Sequence, residues 1–230
     1  MIGFLQFTHL LNRYKQKLPQ QQPREDLAQI IATHFASKWQ RPIAAHSLAA
    51  FESIRGRIES SSQSLVIDSC CGTGDSTRNL AAALPDSLVL GIDKSSHRLA
   101  RHRDIVEQNY LMLRADVNDF WRLALEARWQ PTQHYLFYPN PYPKASQIRK
   151  RWYGSPAFPT LLGLGGQLTV RSNWSIYIQE FVLALNAVGF DSHSRQVTGE
   201  KPVSAFEAKY QERGDTLFEL VCDFDQTKPC

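Results

Sequence analysis

The chain has 230 residues, 43% of them hydrophobic and 21% charged, which suits one α/β domain with a real core plus an extra N-terminal segment rather than two full domains. Its formal charge is only +4, so any attraction to nucleic acid must come from local clustering. None of the four cysteines, Cys70, Cys71, Cys222 and Cys230, forms a pair with zinc-ligand spacing, and adjacent cysteines rarely make a relaxed disulfide; free thiols and no metal site follow.

The N-terminus, MIGFLQFTHLLNRYKQ, has no basic run before its apolar part, and His9 and Asn12 interrupt that part. It is a poor signal peptide and too short to span a membrane, so the expectation is a cytoplasmic protein with no membrane partner. A short amphipathic helix is expected here, with Phe4, Phe7, Leu10, Leu11 and Tyr14 on one side. PQQQP at 19–23 is a polar break. DLAQIIATHFASKW then repeats apolar residues at helical spacing, with Asp26 as candidate N-cap. A further helix runs from about His46 to Glu59, and SSSQS makes a joint. Residues 1–60 read as a helical extension packed on a later core, and 61–230 as the main domain.

From Leu65 the texture changes. SLVID, SLVLGID, YLMLRADV and HYLFY are strands; TRNLAAALP, SSHRLARHRDIVEQN (opened by a serine cap) and DFWRLALEARW are the helices between them. Such alternation implies βαβ units and a mostly parallel sheet with helices on both faces. Right-handed crossovers put the strand-to-helix loops on one edge, where ligands of such sheets bind.

That edge carries the unusual residues. In VIDSCCGTGDS, Asp68 ends a strand, and Gly72 and Gly74 open a helix whose N-terminus offers unpaired donors. G-x-G alone fits a tight turn equally well. Asp93 ends the second strand and suits the hydroxyls of a ribose; Asp116 ends the third and suits an adenine amino group. Three acids in register would repel a pyrophosphate and favour a nucleoside carrying a sulfonium. The structural alternative for each is a helix N-cap.

LFYPNPYPKASQIRKRW, residues 136–152, is a stiff corner, because proline fixes φ and pushes the preceding residue to extended conformations. It reads either as a ligand-holding elbow beside a cationic cluster, or as a plain strand-ending loop before a solvated basic helix. The run HRLARHR, with Arg98, Arg101 and Arg103, reads as solvated surface.

Together these segments resemble the class I S-adenosylmethionine-dependent methyltransferases, through IDSCCGTG, GIDKSSHRLA and RADV, with the Rossmann-like sheet that implies. More narrowly they resemble the bacterial tRNA (guanine-N7)-methyltransferases, through YPNPYPK, IRKRW, GGQLTVRSNW with Tyr177, and VSAFEAKYQERG. The resemblance runs from about Leu65 to Phe224. It implies S-adenosylmethionine held by Asp68, Cys70, Gly72, Gly74, Asp93, Asp116 and Asn140, with Asn140 beside the donor methyl as the catalytic position. It implies a tRNA or other RNA partner, with Tyr142 stacking on the target base and Lys144, Arg149, Lys150 and Arg151 gripping phosphates. Lys144, Asn173, Ser204 and Glu207 would fix the guanine edge.

Departures concentrate at the chemistry. Asn140 and Asn173 stand where the family has acids, Ser204 where it has threonine, and Cys70 where it usually has glycine. Losing two carboxylates removes stabilisation of a base that becomes cationic on methylation. Three readings therefore stand: a tRNA guanine-N7 methyltransferase working by positioning; a methyltransferase on an exocyclic amine, since Asn-Pro-Tyr loosely resembles the Asn-Pro-Pro-Tyr corner of those enzymes; and an RNA-binding relative without turnover. The sequence leaves the oligomeric state open.

Overall fold

A computed structural model describes residues 19–37, 39–102 and 109–227. Two helices, α1 (Leu27–Phe35) and α2 (Ala45–Glu59), precede an alternating succession: β1 (Ser64–Ser69), α3 (Asp75–Ala83), β2 (Ser87–Asp93), α4 (Ser96–Leu99), β3 (Tyr110–Arg114), α5 (Val117–Glu126) and β4 (Gln133–Phe137). After β4 come two 3₁₀ turns, Ala145–Lys150 and Trp152–Gly154. Then follow α6 (Phe158–Gly163), β5 (Gln167–Ser172), α7 (Ser175–Ala187), β6 (Phe190–Val197), α8 (Ala205–Glu212) and β7 (Leu217–Thr227).

The seven strands form one sheet in the order β3-β2-β1-β4-β5-β7-β6. Pairings from β3 through β5 are parallel, while β7 runs antiparallel to both β5 and β6. The class I methyltransferase architecture expected from the sequence is therefore observed, with the chain order reversing between β1 and β4. A crevice opens outside the carboxyl ends of the strands at such a reversal. β1 and β4 are neighbours, with Val66 opposite Gln133 and Asp68 opposite Tyr135, so the loops that follow them must meet.

Central strands read as unbroken apolar runs because both faces are covered; every residue of β2 is buried. Leu27, Ile31, Phe51 and Ile54 of α1 and α2 share one apolar core with Ile67, Leu90, Phe120 and Trp121. Phe51 stacks on Trp129 at 4.5 Å and meets Phe120 edge-on at 5.7 Å. Among the described residues, no helix is long and apolar enough to cross a membrane.

Local expectations differ from the structure in three places. Asp26 precedes α1 but makes no side-chain cap, because its carboxylate is held by Arg24. The helix expected from Ser95 is helical over Ser96–Leu99, with Ser95 Oγ accepting from Arg98 N as the serine cap requires. Its continuation through 103–108, Arg103 included, and the segment with Phe4, Phe7, Leu10, Leu11 and Tyr14 lie outside the described residues. The basic stretch after Lys144 forms a 3₁₀ turn rather than the start of an α-helix.

Candidate active site

Adjacency of β1 and β4 produces a cavity of about 710 Å³ at the carboxyl edge of the sheet. One side is the loop after β1. Cys70 (φ 64°), Gly72 (φ 64°) and Gly74 (φ 83°) are all left-handed there. A Cβ on Gly72 would meet nothing within 4 Å, so the backbone at that point lies open to a ligand. A Cβ on Gly74 would come within 2.7 Å of the Met112 side chain, so that glycine serves close packing of α3 instead. Burial pushes the Cys70 thiol up to about 12, which keeps it protonated and un-nucleophilic near neutrality.

The strand-end acids divide by role. Asp68 lies buried beneath the loop, its Oδ2 accepting from the hydroxyls of Ser76 and Thr77 at 2.7 Å each. Its Oδ1 has no partner among the described residues, and burial pushes its carboxyl up to about 6. Asp93 lines the cavity; Oδ2 accepts from Gly72 N at 3.1 Å, and Oδ1 from Ser95 N at 2.8 Å and Arg98 at 3.0 Å. Asp116 caps α5 through Asn118 N at 2.9 Å and lies 3.2 Å from Arg41. Burial would raise its pKa, but the Asn118 donors and Arg41 outweigh that and hold it below the usual range.

Facing the loop is the proline corner. Tyr138 (φ 51°) and Tyr142 (φ 45°) bracket Pro139-Asn140-Pro141, two large residues in a region that costs about 1–3 kcal/mol each. Asn140 is exposed to the cavity, and its Oδ1 accepts from Tyr142 N at 3.3 Å. Arg149 and Lys150 stand exposed on the rim, with Lys150 Nζ 5.6 Å from the Tyr142 ring centre.

Arg151 corrects an expectation. It is not a phosphate grip but a fully buried anchor, ion-paired with Glu180 of α7. It donates to the carbonyls of Tyr142 (3.0 Å) and Lys144 (3.3 Å), and so holds the corner from inside. Glu180 also accepts from Gln20 Nε2 at 2.6 Å and Arg24 N at 2.8 Å, while Gln20 N donates to Pro143 O at 2.8 Å.

The third wall comes from β5 and α8. Asn173 donates to Asp215 at 3.1 Å, so a carboxylate stands immediately behind the amide. Ser204 caps α8 by accepting from Glu207 N at 3.2 Å. Phe206 is 56% exposed at the mouth, and Tyr210 lies 5.2 Å from Tyr138, ring centre to ring centre. Glu207 differs from expectation: it is buried and not on the cavity wall, with Arg171 donating to Oε1 at 2.8 Å while Oε2 has no hydrogen-bond partner among the described residues. Arg171 binds Glu200 and Glu219 as well, so this group belongs to a buried charge network.

Of the residues expected at the site, Cys70, Gly72, Asp93, Asp116, Asn140, Tyr142, Arg149, Asn173 and Ser204 line the one cavity. Asp68, Gly74, Lys144, Arg151 and Glu207 are not on its wall. Sequence reasoning missed Trp39, Arg98, Tyr138, Phe206 and Tyr210, which are. Arg98 was assigned to solvated surface, yet the cap at Ser95 places it one turn into α4, where it reaches back to Asp93. Phe206 lies between two positions already singled out. Trp39 had no local signal.

This arrangement suits a cationic nucleoside: an open glycine backbone, an acid at the second strand end, and room for an acceptor beyond. A family model described as "Putative methyltransferase" matches residues 62–220. The tRNA (guanine-N(7)-)-methyltransferase of Neisseria meningitidis serogroup A is 25% identical over 172 residues, 71% of each chain. The Rhodococcus jostii enzyme of the same name is 32% identical over 120 residues, 49% of this chain and 46% of that one. Among solved structures, a 16S rRNA (adenine(1408)-N(1))-methyltransferase from Catenulisporales acidiphilia gives a TM-score of 0.51 at 15% identity, covering 77% of this chain and 91% of its own. The 16S rRNA methyltransferase KamB gives 0.52 at 16%, covering 84% and 97%. These two likenesses show the fold. The chain belongs to the methyltransferase family whose model it matches: it is a class I enzyme resembling the tRNA (guanine-N7)-methyltransferases, and its methyl donor is S-adenosylmethionine.

Proposed function

We propose that the chain methylates a guanine of tRNA at N7, in the cytoplasm, by direct in-line transfer. The observation that carries this reading is that the loop after β1 and the Asn140 corner line the same cavity, with two exposed cations on its rim. Gly72 and Asp93 would hold the donor nucleoside, which supplies an electrophilic methyl on a sulfonium when bound. Guanine N7 already carries a lone pair, so no general base is required, and positioning can supply several kcal/mol.

Asn140, presented by two prolines, needs little ordering on binding. Its Oδ1 accepts one bond from the Tyr142 amide, and its N–H groups face no protein acceptor among the described residues and are open to the ligand. Tyr142 and Phe206 offer faces on which an extruded base stacks, worth about 1–3 kcal/mol. Asn173, backed by Asp215, and Ser204 are the candidates for the base edge. Arg149, Lys150 and the exposed Lys144 supply sequence-independent attraction to phosphates.

Incubation with methyl-labelled S-adenosylmethionine and bulk tRNA, followed by digestion to nucleosides, tests the proposal. Label is expected in 7-methylguanosine. Label in an amine-methylated base would replace the acceptor, and salt-sensitive tRNA binding with no label would leave an RNA-binding protein without turnover.

A further inference from the structure

The cavity wall beside Asp116 comes from the N-terminal segment. Trp39, between α1 and α2, lines the cavity with Asp116, Val117 and Asn118 while packing on the apolar core. Two guanidinium groups flank its ring, Arg41 at 5.2 Å and Arg122 at 5.4 Å from the centroid. Arg41 is itself fixed, with Nη2 2.6 Å from a fully buried oxygen of Asp119. The other Asp119 oxygen accepts from Ala44 N at 3.1 Å, Arg122 donates to Arg41 O, and Ser47 Oγ accepts from Asp116 N at 3.1 Å. This segment is thereby clamped to the first turns of α5.

Asp116 has Oδ1 engaged by Asn118 and Oδ2 by Arg41, so most of its accepting capacity is already used inside the protein. A ligand base reaching this end of the cavity meets the indole more than a free carboxylate. We infer that Trp39 is the wall against which the adenine of the donor packs, with Arg41 as the positioning residue that docks it. The N-terminal extension would then complete the donor site. The inference rests on the nucleoside lying along Asp93 and Asp116.

Calorimetry with S-adenosylhomocysteine and with 5′-methylthioadenosine, which lacks the amino-acid portion, tests it. Trp39→Leu keeps apolar bulk over the core and should weaken both ligands about tenfold or more, the loss typical of truncating an aromatic contact to a base. Arg41→Ala should weaken both similarly, Trp39→Phe by less than about threefold, and Arg55→Ala on the exposed face of α2 not at all. Unchanged affinity in Trp39→Leu with a raised KM for tRNA would overturn the proposal by placing Trp39 at the acceptor. A loss confined to S-adenosylhomocysteine would overturn it by placing Trp39 at the amino-acid end. If Trp39→Leu and Arg41→Ala unfold, Trp39→Phe decides: a loss of about two- to threefold for both ligands supports the wall, and affinity equal to wild type overturns it. Absence of binding by the wild type would remove the donor-site reading itself.

Discussion

Cys70 shows how one residue can hold a backbone conformation at a cost in stability. Its φ of 64° is a conformation glycine adopts freely and other residues at roughly 1–2 kcal/mol. Glycine loses more chain entropy on folding, which offsets part of that. Cys70→Gly is expected to stabilise the chain by up to about 1 kcal/mol in urea unfolding. His134 makes a second prediction. Burial lowers its pKa from 6.5 to about 4. Between those values the unfolded chain takes a proton that the folded chain refuses, so stability falls as pH drops through this window. Relative to His134→Gln, the wild type should lose about 3 kcal/mol between pH 7 and pH 4, read from denaturation midpoints. At Asn140 the expected gain is catalytic: Asn140→Asp restores a charge beside a base that becomes cationic, and kcat should rise about tenfold. Residue identity was legible where the backbone or a strand end forced it, as at Gly72 and Asp93. It was not legible for Arg149 against Arg151, two cations of one run that end on opposite sides of the surface. What separates them is Glu180, 29 positions away from Arg151.

Among elements, the proline corner is the one held most deliberately. Its strained tyrosines persist because Arg151 ties two of its carbonyls to α7 through a buried ion pair. Removing one partner leaves an uncompensated buried charge, so Arg151→Ala should cost about 3–5 kcal/mol. The double replacement Arg151→Met, Glu180→Leu should recover much of that stability while losing activity, because the corner carbonyls lose their donors. Chemical unfolding beside a transfer assay separates these outcomes. Strands β1, β2 and β4 were readable from sequence to within a residue, because buried parallel strands are unbroken apolar runs, whereas YLMLRADV overruns β3 by three residues, since Asp116 caps α5 there. The 3₁₀ turn at Ala145–Lys150 was not, since a single inward arginine rather than a periodicity sets its course.

At the scale of the molecule, alternation predicted a parallel sheet and a common loop edge but not the strand order. Pairing of β1 with β4 brings Cys70 and Asn140 to one cavity, and that pairing is a long-range property of the sheet. The contribution of Trp39 was invisible for the same reason, its partners being on α5. Rim charge acts at this scale too. Arg149→Ala with Lys150→Ala should weaken tRNA binding and reduce the slope of log K against log salt by about 1.5–2, leaving S-adenosylhomocysteine affinity unchanged. The central claim is that the loop after β1 and the acid ending β2 form a donor site opening onto the Asn140 corner. Calorimetry with S-adenosylhomocysteine on the wild type and on Asp93→Ala tests it most directly. One ligand should bind per chain, and the substitution should weaken it by about two orders of magnitude, because it removes both an acceptor lining the cavity and the carboxylate that holds Gly72 N of the loop; no heat with the wild type, or equal affinity in both proteins, would contradict the account.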